Sequence, residues 1–258
     1  FLGADEAGML KDEVIAILGA VVSSGTTDEA SALRFSPFRA RFEPSGGEAN
    51  QLFQVENNTS APAAVQIRIA DRQVDVDGGE TTRDNERDFA LYPAQMILPP
   101  QSTRSVRVQW IGDPKLKEER AYRIIAEQLP VNLSKETPKS NSVKILVSYH
   151  GALFVTPPGL SQNVTLDFFG ITQEPDQKRM LELVLHNRGT QHALLRDLKL
   201  TIKDDRGNVV ILADEAALKG MTGESIFAKQ RRRFLLRWPR TLHGTPKQVE
   251  FTFDKQAF

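Results

Sequence analysis

From Leu33 onward the chain is written in short segments of alternating or β-branched residues separated by turn-forming clusters. Val65, Ile67 and Ile69 alternate with Gln66 and Arg68, and Val106, Val108 and Trp110 alternate with Arg107 and Gln109. A period of two puts each apolar set on one face of a strand and leaves the other face wet. The pattern predicts strands at 33–42, 50–56, 64–74, 87–92, 102–110, 120–128 and 142–156, then at 161–168, 179–187, 192–203, 208–213, 224–229, 231–238 and 247–254. Clusters such as Ser45, Gly46, Gly47 and Asn57, Asn58, Thr59 separate the segments, as do Asn187, Arg188, Gly189, and all favour turns. Only 114–119 and 214–219 carry short helical character. Pro157, Pro158 and Gly159 cannot continue a central strand and divide the pattern into two sets. Strands at this spacing, within about 100 residues per set, predict an all-β protein of two immunoglobulin-like β-sandwich domains, at 33–156 and 160–258.

Residues 1–32 follow a different pattern. The apolar run 14–22 follows Met9 and Lys11 and precedes Ala30, Ser31 and Ala32, a small-x-small cleavage site. This reads as a secretory signal peptide with a mature start near Leu33, or as an N-terminal extension, since Asp12, Glu13, Asp28 and Glu29 are unusual in a signal. No apolar run reaches the roughly 18 residues of a membrane span.

Composition narrows the function classes. The 258 residues are 40% hydrophobic, enough for two cores, and 33 Lys plus Arg balance 33 Asp plus Glu. That balance gives no field to attract nucleic acid or an anionic membrane. The absence of cysteine excludes disulfides, thiol nucleophiles, Cys-bound zinc and iron–sulfur clusters. His150, His186, His192 and His243 lack metal-ligand spacing, and there is no Gly-x-Ser-x-Gly elbow or phosphate-binding glycine loop. No metal, cofactor or catalytic residue is therefore predicted. The acidic residues Asp75, Asp77, Glu80, Asp84, Glu86 and Asp88 offer conceivable paired carboxylates, but nothing apolar nearby would raise one of them, so a solvated loop is the better reading. Arg231, Arg232 and Arg233 read in the same way as a solvated strand start.

A more distinctive stretch runs from Tyr92 and Pro93 through Met96, Ile97, Leu98, Pro99, Pro100 and Gln101 to Arg104, Val106, Arg107 and Val108. It is followed by Glu119, Arg120, Ala121, Tyr122 and Arg123 and ends in Glu127, Gln128, Leu129 and Pro130. Together these resemble the periplasmic chaperones of the chaperone-usher pilus pathway, a family of two immunoglobulin-like domains set in a boomerang. The resemblance covers residues 33 to about 254, with its more specific motifs in the first domain. It implies a non-enzymatic periplasmic chaperone that binds pilus or fimbrial subunits by donor-strand complementation and passes them to an outer-membrane usher. The alternative is a structural or adhesive surface protein with the same two domains, since sandwiches host many roles.

The resemblance also implies sites. The last strand of the first domain would donate Val143, Ile145 and Val147, with Tyr149 continuing the row, to fill the subunit's missing strand. Arg39, between Phe38 and Ala40, matches the family's first-strand arginine, which anchors the subunit's C-terminal carboxylate; a guanidinium binds a carboxylate through two parallel hydrogen bonds. The family's companion lysine is missing, because Ala152 stands in its place; His150, two residues earlier on the same face, is the substitute donor. The family's interdomain salt bridge is missing too, with Ala121 and Thr156 at its positions, which implies a hinge set by other contacts.

Overall fold

The computed structural model describes residues 33–131, 146–173 and 178–255. The stretch 1–32 read as a signal or extension, and Val143 and Ile145 of the proposed donor row, lie outside the described residues.

The predicted first strand is two strands. β1 (Leu33–Ser36) and β2 (Arg39–Phe42) separate at Pro37, which has no N–H to give a ladder and follows a cis peptide bond. They enter opposite sheets. There follow β3 (Asn50–Asn57), β4 (Ala63–Val74), β5 (Glu80–Asp84), β6 (Phe89–Tyr92), β7 (Gln95–Leu98), β8 (Ser102–Trp110), β9 (Arg120–Gln128) and β10 (Ser148–Val155). One sheet has the order β1-β3-β8-β6; the other runs β2-β10-β9-β4-β5, with β7 also paired to β4. The alternating sets meet between them: Val65, Ile67 and Ile69 of one sheet face Phe53, Val106 and Val108 of the other, all nearly solvent-free. Full burial of each such side chain contributes about 1.5–3 kcal/mol.

In the second sandwich, β11 (Val164–Gln173) pairs with β12 (Arg179–Asn187), and β13 (Ala193–Leu194) precedes β14 (Arg196–Asp204). β15 (Val209–Leu212), β16 (Ser225–Ile226), β17 (Arg231–Arg237) and β18 (Pro246–Asp254) complete it. The sheets are β11-β12-β17, β15-β14-β18 and the small pair β13-β16. Leu181, Leu183 and Leu185 pack with Leu200, Ile202, Phe234 and Leu236 in a second core. Phe168 is exposed, because a bulge between Leu166 and Phe168 shifts the register and turns Phe169 inward. The two segments with helical character form turns: hydrogen bonds from Leu218 to Asp214 and from Met221 to Leu218 close the second of them. No helix among the described residues is long and apolar enough to cross a membrane.

A buried asparagine ends one strand in each sandwich. Asn57 donates to the carbonyls of Ala61, Leu98 and Pro99 at 2.9–3.2 Å, and Asn187 donates to those of Gln191 and Ile226 at 2.7 and 3.0 Å. Each supplies the hydrogen bonds that its turn backbone cannot make. At Gly189 a Cβ would come within 2.3 Å of the Ser161 carbonyl, so the turn after Asn187 requires glycine.

The sandwiches meet at a buried polar joint. Glu119, just before β9, accepts from the Thr156 hydroxyl at 2.7 Å and from the His192 backbone N–H at 2.8 Å, and its Oε1 lies 2.5 Å from His192 Nδ1. The His192 ring stacks on Phe154 at 4.2 Å, and Phe227 meets Phe154 edge-on. A second tie lies at the β4–β5 hairpin tip, where the Arg233 N–H donates to the Val76 carbonyl and its guanidinium meets Asp77 at 2.5 Å.

Candidate functional site

Two features of β10 define the candidate site. The first is its edge. Residues Ala152 to Val155 pair in parallel with β2, and the ladder begins with the Ala152 N–H donated to Phe38 at 2.7 Å. Before Ala152, from Ser148 to Gly151, β10 pairs only with β9 among the described residues. Strand geometry points the N–H and C=O groups of Ser148 and His150 toward the side that β2 leaves uncovered, an edge open to strand addition. Gly151 marks the transition: a Cβ there would lie 2.8 Å from the Phe38 carbonyl.

The side chains on this strand divide by face. Leu153 and Val155 belong to the first core, so Val147 and Tyr149, at spacing two, point to the same side. Val147 is half-buried, and its carbonyl accepts from Gln128 at 3.0 Å. Tyr149 lies between Phe35 and Phe38, with ring centroids 6.5 and 5.6 Å away, and its hydroxyl donates to the Leu33 carbonyl of the opposite sheet. Burial raises its pKa. Tyr149 thus stands at the mouth of the sandwich, where the two sheets part.

The second feature is the opposite face, which carries Ser148, His150, Ala152 and Phe154 and looks toward the second sandwich. The register places Arg39 beside Ala152, on this face. Also on it are Arg68, Arg72 and Arg123, held by carboxylates of the β4–β5 hairpin. Arg68 meets Asp84 at 2.5 Å and Glu127 at 3.0 Å. Glu80 serves two guanidiniums: Arg123 donates from Nε and Nη2 to its two oxygens, each at 2.7 Å, and Arg72 donates from Nε at 2.7 Å. Burial acts to raise the Glu80 carboxyl, but the Arg123 hydrogen bonds and the Arg72 charge outweigh it and hold it below the usual range. His150, with Nε2 3.1 Å from Ser148 Oγ, is shifted down, first by burial and then by the charges of Arg123 and Arg68.

The acidic stretch 75–88 is therefore structural. Asp75 accepts from the N–H groups of Asp77 and Gly79 and closes the hairpin, Asp77 reaches Arg233, and Glu80 and Asp84 hold the arginines just described. The arginines at the start of β17 are likewise engaged: Arg231 meets Asp167 at 3.1 Å, Arg232 meets Glu224 at 3.1 Å, and Arg233 meets Asp77. The sequence reading missed Arg123 and the Glu119–His192 joint. The signal for the first was visible, because Arg123 interrupts the otherwise apolar run 121–126; the second had none, since its partners are far apart in sequence and obey no periodicity.

Two immunoglobulin-like sandwiches, a strand edge at the end of the first that no described strand covers, and an arginine-rich face between them define the class of the fold: a two-domain β-sandwich protein. Residues 35–161 match the family described as the pili and flagellar-assembly chaperone, PapD N-terminal domain, and the first sandwich is a divergent member of that chaperone family. The fold of the chain is that of solved pilus chaperones. It superposes on a chaperone–tip adhesin complex of CFA/I fimbriae with a TM-score of 0.55 at 15% identity, covering 86% of this chain and 94% of that one. The CsuC–CsuE chaperone–tip adhesion subunit pre-assembly complex of Acinetobacter baumannii archaic Csu pili gives 0.55 at 15% identity, covering 86% and 97%. The class 5 fimbriae chaperone CfaA gives 0.53 at 14% identity, covering 86% and 100%. At these identities the likeness establishes the fold alone. No curated protein matches the sequence.

Proposed function

We propose that this chain is a non-enzymatic periplasmic chaperone that stabilises pilus subunits by donor-strand complementation and delivers them to an outer-membrane usher. On this reading residues 1–32 are a secretory signal or an N-terminal extension, and the two domains divide at 157–159. The observation that carries the proposal is the edge of β10 between Ser148 and Gly151, which no strand among the described residues covers, with Val147 and Tyr149 turned toward the mouth of the sandwich. An extended subunit segment added to that edge gains main-chain hydrogen bonds from the strand, while Val143, Ile145, Val147 and Tyr149 fill the subunit's groove and set specificity. Arg39 and His150 face the cleft beside this edge, where Arg39 binds the subunit's C-terminal carboxylate and fixes the register. The family membership supports the chaperone role, and the structures it resembles include a chaperone–tip adhesin complex and a chaperone–tip adhesion subunit complex.

Co-expression of the full chain with pilus subunits tests the reading. The expected result is a stable one-to-one complex whose recovery falls sharply with Arg39→Ala. A chain that leaves every subunit to aggregate and binds none would support a structural or adhesive role instead.

A further inference from the structure

The bulge in β11 does more than expose Phe168. On either side of it, alternation puts Thr165 and Gly170 on the outer face of the sheet β11-β12-β17, with Val164 and Phe169 on the core side. The extra residue lets Asp167 and Phe168, adjacent in the chain, both reach that outer face, and bulges re-aim side chains in this way at binding sites. The register adds Val184 and His186 of β12 and Arg231 of β17, while Leu183 and Leu185 face the core. Leu166, Asp167, Phe168, Val184, Arg188 and Arg231 line a shallow pocket of about 540 Å³ there.

One wall of the pocket is cationic and held in place from below. Asp167 Oδ1 meets Arg188 Nη2 at 2.9 Å and the Thr165 hydroxyl at 3.2 Å, and its Oδ2 meets Arg231 Nε at 3.1 Å and His186 Nδ1 at 3.2 Å. A carboxylate has about four lone-pair sites, so Asp167 is saturated and serves to orient the arginines. The arginines are not saturated. Arg231 gives Nε to Asp167, and Arg188 gives Nη2 to Asp167 and Nε to Thr165, which leaves further Nη donors on both side chains, 59% and 50% exposed. At the pocket two guanidiniums therefore stand against one carboxylate, while Glu182 and Asp77 engage Arg233 instead.

The opposite wall is apolar. Phe168 is 49% exposed, and its ring leans along the strand over Gly170, where a Cβ would come within 2.7 Å of it. A ligand that suits both walls joins an anion to an apolar group. The pocket is too open to enclose a small molecule, whose sites bury most of the ligand's surface. Arginine and aromatic side chains around a shallow depression, with Leu235 also exposed on the same face, are instead the kind of anchors that protein interfaces use.

We propose that the outer face of this sheet docks an extended segment of an acidic partner protein, with a Glu or Asp side chain held by Arg188 and Arg231 and an apolar side chain two residues away seated on Phe168. Side chains two apart in an extended segment point the same way, so one segment supplies both groups. Asp167 is a positioning residue that sets the two guanidiniums. The site is built on the second sandwich and does not rest on strand donation at β10.

The test titrates the isotopically labelled full chain with the acetylated and amidated tripeptide Phe-Ser-Glu, and with its Phe-Ser-Gln counterpart, and follows amide chemical shifts. Saturable shifts are expected at Asp167, Phe168, Val184 and Arg231, with the Glu peptide bound about threefold or more tighter than the Gln peptide, the effect of one exposed ion pair. High salt should erase that preference by screening it. Arg188→Gln and Arg231→Gln should each reduce the preference, whereas Phe168→Ala should weaken both peptides alike; Arg231→Lys, which keeps the charge, covers failure of Arg231→Gln to fold and should retain part of it. Absence of saturable shifts at these residues up to about 10 mM of the Glu peptide overturns the site, as does a preference that survives both arginine changes. Phenylacetate, which offers a ring and a carboxylate without a backbone, should bind more weakly than the peptide; equal or tighter binding overturns the protein occupant and assigns the pocket to a free organic acid.

Discussion

Replacing Glu119 by alanine removes the centre of the joint between the two sandwiches. The carboxylate stands against three groups: the Thr156 hydroxyl at 2.7 Å, the His192 N–H at 2.8 Å and His192 Nδ1 at 2.5 Å. Glu119 and His192 side chains are 3% and 0% exposed, so water does not replace the lost acceptor without opening the joint. Each orphaned buried donor costs about 1–3 kcal/mol, and loss of an acceptor shared by three buried groups costs about 3–5 kcal/mol in total. At about 2–4 °C per kcal/mol for a chain of this size, the midpoint should fall by roughly 6–20 °C. Thr156→Val, which removes a single hydrogen bond, should cost about 1 kcal/mol. Urea denaturation followed by tryptophan fluorescence is the natural assay, because Trp110 lies in the first core and Trp238 packs on the second. Trp238→Phe and Trp110→Phe backgrounds then report each sandwich separately. The joint predicts that Glu119→Ala separates two transitions that coincide in the parent, with strong coupling to His192→Ala in a double-mutant cycle. A loss under about 1 kcal/mol with the transitions still coincident would refute the view that this contact couples the sandwiches.

Phe154→Ala should destabilise by about 3–5 kcal/mol in the same denaturation assay, because the ring is fully buried between His192 and Phe227. Arg233→Ala should change stability by no more than about 1 kcal/mol, since its pair with Asp77 is 42% and 53% exposed. The His150 shift makes stability depend on acid. Its folded pKa lies below the ordinary 6.5, so as pH falls through 6.5 the unfolded chain takes up a proton that the folded chain refuses. Stability should therefore drop with decreasing pH below about 6.5, and His150→Asn should flatten that part of a urea-midpoint profile.

Much of the fold was legible because alternation in Val65–Ile69 and Val106–Trp110 is a direct imprint of a sheet with one buried face. β5 escaped notice because Glu80, Thr81, Thr82, Arg83 and Asp84 are all exposed and leave no apolar imprint; the strand exists because the Asp75 turn folds it back onto β4. β7 was hidden by its place directly after Pro93 and Ala94, between the strands predicted at 87–92 and 102–110. The exposure of Phe168 was not legible, because a bulge breaks the period of two at one residue. At the candidate site, Arg39 came from the resemblance and His150 from its spacing of two from Ala152, whereas Arg123 and Glu80 meet across 43 residues and Glu119 and His192 across 73. Local periodicity carries no information about such pairs.

The central claim, strand donation from the end of the first sandwich, is tested most directly by hydrogen exchange over residues 142–150 with and without a co-expressed pilus subunit. The account predicts new protection there on complex formation, abolished when Val143, Ile145 and Val147 are replaced by serine. Unchanged exchange in this segment within a confirmed complex would contradict it and place the subunit on another surface.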